Sequence, residues 1–250
     1  HLNEKIKFKD ITDDLACFGI FGPKSRSLLT DIFGNEFQTS QFPFGQAKFI
    51  KIDNINILFQ RLSFVGELGW ELYIPIKESK KIYDLINKTG IKYKLVHAGR
   101  LAMDIMRMEK GYLHWGHDIS PEENPFEAGL GFVVKLSKNV DFIGKKNLLK
   151  IKENLKKQLV ILSLIDSSPG KPLLLHDEPI YYKGKIVGET TSGNFSFCYN
   201  KNIAFGYINS NINIENVKND FFEIEVAKNK YKARLETEVL HDPKNILIKS

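Results

Sequence analysis

Ser63-Phe64-Val65-Gly66-Glu67-Leu68-Gly69-Trp70-Glu71-Leu72-Tyr73-Ile74-Pro75 reads as a bend that opens directly into a strand. From Gly69 onward Trp70, Leu72 and Ile74 alternate with Glu71 and Tyr73, the period of a half-buried strand, and Pro75 ends it. Ahead of the strand, Glu67 stands between glycines, which let another backbone or a flat ring approach closely. A carboxylate held there can accept two parallel N–H donors, the way the guanidine-like edge of a pterin or a guanine is read. It can equally face water beside a hairpin turn, and on these residues alone that is the commoner case.

Working outward, Leu15 to Phe21 is a short, bulky, mostly apolar run that predicts a strand. Gly22-Pro23 turns the chain, with Pro23 placed to open a helix through Leu28, Leu29 and Ile32 that closes at Gly34. Ala47 to Ile52 and Ile55 to Leu62 predict a hairpin turning at Asp53-Asn54. After Pro75, Glu78 to Asn87 predicts an amphipathic helix with Ile82, Leu85 and Ile86 inward. A longer helix is expected from His97 to Met108, with Leu101, Ile105 and Met108 on one face. A turn-rich loop from Gly116 to Pro125, an apolar run interrupted by glycine from Phe126 to Leu136, and an exposed lysine-rich helix from Lys145 to Glu153 follow.

Beyond residue 157 the pattern changes to short strands: Gln158 to Ile165, Pro179 to Tyr182, Lys185 to Val187, Ile203 to Ile208, Phe221 to Val226 and Lys230 to Leu235. Gly, Asn, Asp and Pro clusters separate them, as in a small barrel or sandwich. The fold class is therefore α+β, with a sheet-and-helix domain over residues 1–155 and a small β domain over 156–250.

The 250 residues (28.7 kDa) suffice for one large domain or two modest ones, and 42% hydrophobic with 26% charged residues excludes a disordered or fibrous chain. No apolar run approaches the ~18 residues of a membrane span, so neither a membrane nor a secretory leader is expected. The net charge is +6, but the lysines are dispersed along the chain, which speaks against a nucleic-acid partner. Such a field suits a small anionic ligand. Cys17 and Cys198 cannot build a disulfide framework, which points to a reducing, cytoplasmic location.

Other constellations carry less. Met103, Met106 and Met108 either line a flexible pocket or pack as ordinary core. Arg107 and Glu109 read as a structural pair anchoring their helix, and Arg100 is better placed to reach a ligand carboxylate. His114-Trp115-Gly116-His117-Asp118 contains metal-ligand residue types, but no third and fourth ligand follows, so no metal is expected. No Gly-x-Ser-x-Gly elbow, phosphate loop or dinucleotide fingerprint is present.

Five stretches together resemble a known family. Ser63 to Pro75 is similar to the Tyr-Thr-Gly-Glu-x-Gly-x-Glu segment of the glycine-cleavage T-protein (aminomethyltransferase) family, and Arg107-Met108-Glu109-Lys110-Gly111 to its Arg-Leu-Glu-x-Gly helix end. His114 to Leu130 resembles more closely the folate-binding C-terminal module of sarcosine and dimethylglycine dehydrogenases. Val187 to Gly193 and Ile203 to Ile208 resemble the family's C-terminal barrel.

The resemblance implies an aminomethyltransferase folate-binding fold followed by a C-terminal β-barrel, with tetrahydrofolate as cofactor. It also implies transfer of a methylene or methyl unit from an amine such as glycine, sarcosine or a dimethylglycine derivative. Glu67 would bind the pterin edge, with Phe64, Arg61, Arg100, Phe132 and Trp115 as further cofactor contacts. Met103 replaces an arginine of true T-proteins, and Arg100 is the candidate substitute. The family's catalytic aspartate lies in an N-terminal segment that nothing here matches, so the catalytic residue is unknown and the chain is expected to enter partway into the fold. FAD is expected only with an upstream or partner flavin dehydrogenase domain. The alternative is a non-catalytic folate-binding or scaffold module of such a dehydrogenase.

Overall fold

Four of the predicted strands assemble into one antiparallel sheet in the computed structural model, which describes residues 5–250. They are β1 (Leu15–Phe21), β2 (Ala47–Ile52), β3 (Ile55–Gln60) and β4 (Gly69–Pro75), in the order β1-β4-β3-β2. The register pairs Cys17 with Tyr73 and Phe18 with Leu72, so the alternation read along β4 sets one face of the sheet. Trp70, Leu72 and Ile74 are fully buried on that face, while Glu71 and Tyr73 are half-buried on the other. Strand β3 stops short of Leu62, whose N–H turns back to Gln60 O at 3.0 Å.

Helices α1 (Ser25–Phe33) and α2 (Ser79–Gly90) belong to the same unit. Pro23 lies in the turn and does not open α1; the helix begins at Ser25, whose hydroxyl donates to Leu68 O at 3.2 Å. Leu28, Leu29, Ile82 and Ile86 join Phe37, Phe42, Phe59 and Trp70 in one core. Each such side chain contributes roughly 2 kcal/mol when fully buried. By contacts this unit comprises the residues through Gly99 together with Lys244–Ser250, which contains α6 (Ile246–Lys249).

The second unit, Arg100–Pro243, holds α3 (Arg100–Glu109), α4 (Lys145–Lys152), α5 (Ile214–Val217) and a closed barrel. The barrel strands are β5 (Lys157–Leu164), β6 (Pro179–Tyr182), β7 (Lys185–Ser196), β8 (Lys201–Asn209), β9 (Phe221–Val226) and β10 (Asn229–Glu236), closed in the order β10-β5-β8-β7-β6-β9. This mixed sheet-and-helix chain with a C-terminal barrel is the α+β architecture expected. The change of sequence pattern near residue 155 falls inside this unit, because α3 and the loop after it are tied to β7 and β8 by buried polar contacts.

Two local readings change. Helix α3 starts later than His97, and Leu101 on its supposed inward face is 76% exposed; Arg107, Met108 and Glu109 at its end are the buried residues. The apolar, glycine-interrupted run from Phe126 to Leu136, for which no element is predicted, carries a short 3-10 turn at Gly131–Val133. Strand β7 extends far past Val187, through Thr190, Ser192 and Ser196, which are buried polar residues with partners.

Candidate functional site

In the first unit, the bend before β4 is held from below. Val65 and Leu68 are buried, Val65 N donates to the Ser63 hydroxyl (3.3 Å), and Leu68 O accepts from Gly22 N (2.8 Å). Gly66 takes a left-handed φ of +77°, and a Cβ on Gly69 would lie 2.7 Å from Ile20 O, so both positions require glycine. Glu67 and Phe64, both half-buried, are carried on this pinned bend. Arg61, at the end of β3, is fully buried, and its Nη atoms donate to the main-chain oxygens of Phe42, Lys249 and Ser250.

The other expected contacts belong to the second unit, on three separate pieces of chain. Arg100 is the exposed first residue of α3, Trp115 sits 65% exposed in the loop that bridges to Ile119, and Phe132 is 71% exposed on the 3-10 turn. Met103 is exposed and Met106 half-buried, and only Met108 enters a core, beside Ile203 and Phe205, so the methionines line no common pocket.

Sequence reading missed the centre of this unit. Asp118 is 1% exposed and accepts four donors: Arg107 Nη1 (2.5 Å), His114 N (2.8 Å), Thr191 Oγ1 (2.6 Å) and Ser192 Oγ (2.7 Å). Consecutive strand residues normally point to opposite faces. The register shift between Thr190 and Ser192 lets Thr191 and Ser192 both reach Asp118 Oδ1. Arg107 therefore pairs with Asp118 and Asp104, not with Glu109, which instead accepts from Ser196 Oγ at 2.5 Å. The signal was present only as an arginine near a helix end and an aspartate eleven residues later.

Beside this network lies a cleft of about 640 Å³, lined by His117, Glu123, Lys157, Glu189, Thr191 and Tyr207 among others. The Tyr207 hydroxyl donates to Asp118 O (2.9 Å); burial first, then Glu123, Asp118 and Glu127, push its pKa up, so it stays a donor. Burial acts to raise Glu123, but Lys157 Nζ (2.6 Å) and the Ser120 hydroxyl (2.6 Å) outweigh it and hold the carboxyl below the usual range. Its stabilising contribution is fully present above the unfolded value of about 4.3 and is lost as pH falls through the lower folded value. Glu123→Gln is expected to flatten that part of the acid limb, read as the urea midpoint against pH.

Among the described residues no group of three or more His, Cys, Asp and Glu is placed to hold a metal ion, and no helix is long and apolar enough to cross a membrane. Cys17 and Cys198 are exposed and form no disulfide.

The chain is similar to known proteins along most of its length. Residues 1–138 match the GCVT N-terminal domain, and residues 157–242 match the glycine cleavage T-protein C-terminal barrel domain. Human mitochondrial dimethylglycine dehydrogenase is 40% identical over 206 residues, covering 81% of this chain and 23% of that protein. Mouse mitochondrial sarcosine dehydrogenase is 34% identical over 250 residues (98% of this chain, 27% of that protein). An aminomethyltransferase of Symbiobacterium thermophilum is 34% identical over 201 residues, 80% of this chain and 52% of that protein. The chain thus spans about a quarter of the length of these dehydrogenases and about half of this transferase. The crystal structure of glycine cleavage system aminomethyltransferase T from Bartonella henselae superposes with a TM-score of 0.77 at 21% identity, over 91% of this chain and 60% of that one, a likeness of fold.

Proposed function

The chain belongs to the glycine-cleavage T-protein family, with its N-terminal domain followed by its C-terminal barrel domain, and from that premise we propose that it binds tetrahydrofolate and serves one-carbon transfer to it from a small amine donor. The observation that carries the reading is the pinned bend. It carries a half-buried carboxylate, Glu67, and a half-buried aromatic residue, Phe64, between Gly66 at φ +77° and Gly69, which packs directly on Ile20 and Phe21 of β1. A carboxylate held this way suits a pterin, whose ring edge offers paired N–H groups. When bound, the folate supplies the nitrogens that carry the one-carbon unit.

The chain's own residues bind, orient and exclude water in this proposal. Glu67 fixes the ring orientation, a positioning role that raises the rate by lowering the entropy of encounter. Trp115, Phe132 and Arg100, all exposed on the second unit, are kept as proposed cofactor contacts on the family likeness alone. Arg61 is assigned to holding unit 1 together and not to the pterin, since its donors reach main-chain oxygens. None of the six is proposed to move a proton. We keep a functional boundary near residue 155, supported by the interval between the two family matches. A reducing compartment is kept as the reading of a chain with two cysteines in 250 residues; the dehydrogenase relatives carry "mitochondrial" in their names.

A second reading is favoured by the dehydrogenase relatives and by Met103: a folate-holding module of a flavin-linked amine dehydrogenase that performs no transfer itself. Titration calorimetry with tetrahydrofolate tests the binding shared by both. Glu67→Gln is expected to weaken it roughly 10- to 100-fold with an unchanged urea midpoint. Absence of heat with the unmodified chain rejects the cofactor. Formation of methylenetetrahydrofolate above the uncatalysed rate, from bound folate and a carbon already at the formaldehyde level (the imine that a supplied flavin dehydrogenase makes by oxidising sarcosine), separates the two readings by its presence or absence.

A further inference from the structure

The cleft beside the Asp118 network has no part in either folate reading. At about 640 Å³ it falls within the size range of small-molecule sites. Three pieces of the second unit enclose it: the loop after α3 (His117, Glu123), the barrel strands β5, β7 and β8 (Lys157, Glu189, Tyr207) and the segment leading into β6 (His176, Asp177). Its walls are fixed. Asp177 N donates to Thr190 O (2.8 Å), the Thr191 and Tyr207 hydroxyls both donate to Asp118, and Gly188 brings β7 against Tyr207 O of β8. A ligand therefore meets a preformed surface, and little ordering opposes its binding.

Charge decides what fits. The chain carries +6, yet three carboxylates, Glu123, Asp177 and Glu189, line the cleft against one lysine, Lys157. That lysine is already answered: its Nζ donates to Glu123 Oε1 at 2.6 Å and lies 4.6 Å from the centroid of the Tyr207 ring. The protein's own alkylammonium is thus seated on a carboxylate and an aromatic face, the recognition pattern for such a group. Asp177 and Glu189 have no such partner. The Asp177 carboxylate accepts from His176 Nδ1 (2.6 Å), and the Glu189 side chain has neither hydrogen bond nor ion pair among the described residues.

An anion would be repelled by these two carboxylates, and a purely apolar ligand would strip them of water without replacing its hydrogen bonds. A metal ion is disfavoured because no three ligating side chains converge among the described residues. An organic ammonium ion meets both demands, since its N–H groups answer the carboxylates while its carbon part can lie along Ile186 and Val187 of the same cleft. We propose that this cleft binds a small organic ammonium ion, held by Glu189 and Asp177 with its carbon skeleton against Ile186 and Val187. The amine donor of the proposed transfer belongs to this class, and binding here requires no folate.

The isotopically labelled full chain is titrated with dimethylammonium chloride at constant ionic strength, with sodium chloride as the control and no folate present. Saturable shifts of the Gly116, His117, Asp177 and Glu189 amides are expected from the ammonium ion and not from sodium. Glu189→Gln and Asp177→Asn each remove one charge at an exposed position, and asparagine tolerates the left-handed φ of +62° at 177. Each is expected to raise the dissociation constant about fivefold. Glu153→Gln, an exposed carboxylate that does not line the cleft, is expected to leave it unchanged. The proposal is overturned if dimethylammonium gives no saturable shift, if sodium gives the same one, if neither cleft variant weakens binding, or if Glu153→Gln weakens it as much. With folate absent, none of these outcomes bears on the tetrahydrofolate titration.

Discussion

Replacing Asp118 with alanine is expected to destabilise the second unit by about 3–5 kcal/mol, because it strands a buried guanidinium. Arg107 is 1% exposed, and without Asp118 it keeps Asp104 Oδ1 (2.8 Å), Tyr112 O (3.1 Å) and the Ser192 hydroxyl (2.8 Å). The Asp104 side chain is 30% exposed, a weaker counter-charge than the fully buried carboxylate removed. The same substitution also unpairs His114 N, Thr191 Oγ1 and part of the bonding of Ser192. A large loss here measures the cost of a broken network and not the worth of the intact one. The double variant Arg107→Met, Asp118→Leu removes both charges and should recover most of the loss. Urea unfolding decides: a lower midpoint with unchanged slope is expected for Asp118→Ala. A change within about 1 kcal/mol would show that the network carries little.

What the sequence made legible follows from periodicity. The alternation of Trp70, Leu72 and Ile74 fixes the face of β4, and every residue on that face is buried. Strand β7 was read only to Val187 because hydrophobicity stops marking it there. Thr190 and Ser192 are as buried as leucines, but they face Glu178 and Asp118, partners that a linear reading cannot see. The same blindness explains Arg107. Glu109 is its neighbour in sequence, whereas Asp118 reaches it through the fold of the loop after α3. Leu101 errs in the opposite sense: it satisfies the helical spacing yet stays exposed, since the buried end of α3 is set by its polar residues. Glu67 was legible as a carboxylate between glycines, and its proposed role rests on the family likeness and the rigidity of the bend.

Gly188→Ala should be the most damaging of the single-methyl additions in the barrel hairpin, costing about 3 kcal/mol. Gly188 of β7 pairs with Ile208 of β8, and an added Cβ would lie 1.8 Å from Tyr207 O, 2.8 Å from Tyr207 C and 2.9 Å from Ile208 Cα. All three atoms are backbone, so no rotamer change relieves the clash, and the two strands must separate locally. Separation would also move Tyr207, whose hydroxyl holds Asp118 O and whose ring lies 4.6 Å from Lys157 Nζ, and so disturb the cleft wall. Gly184→Ala in the adjoining turn is the matched control. Its φ is +77° with nothing within 4 Å of an added Cβ, so it pays only the left-handed strain of about 1–2 kcal/mol. Urea midpoints should therefore fall in the order unmodified chain, Gly184→Ala, Gly188→Ala. Equal losses at the two positions would mean that the β7–β8 contact yields without cost, and the close strand approach would then be no part of what stabilises the barrel.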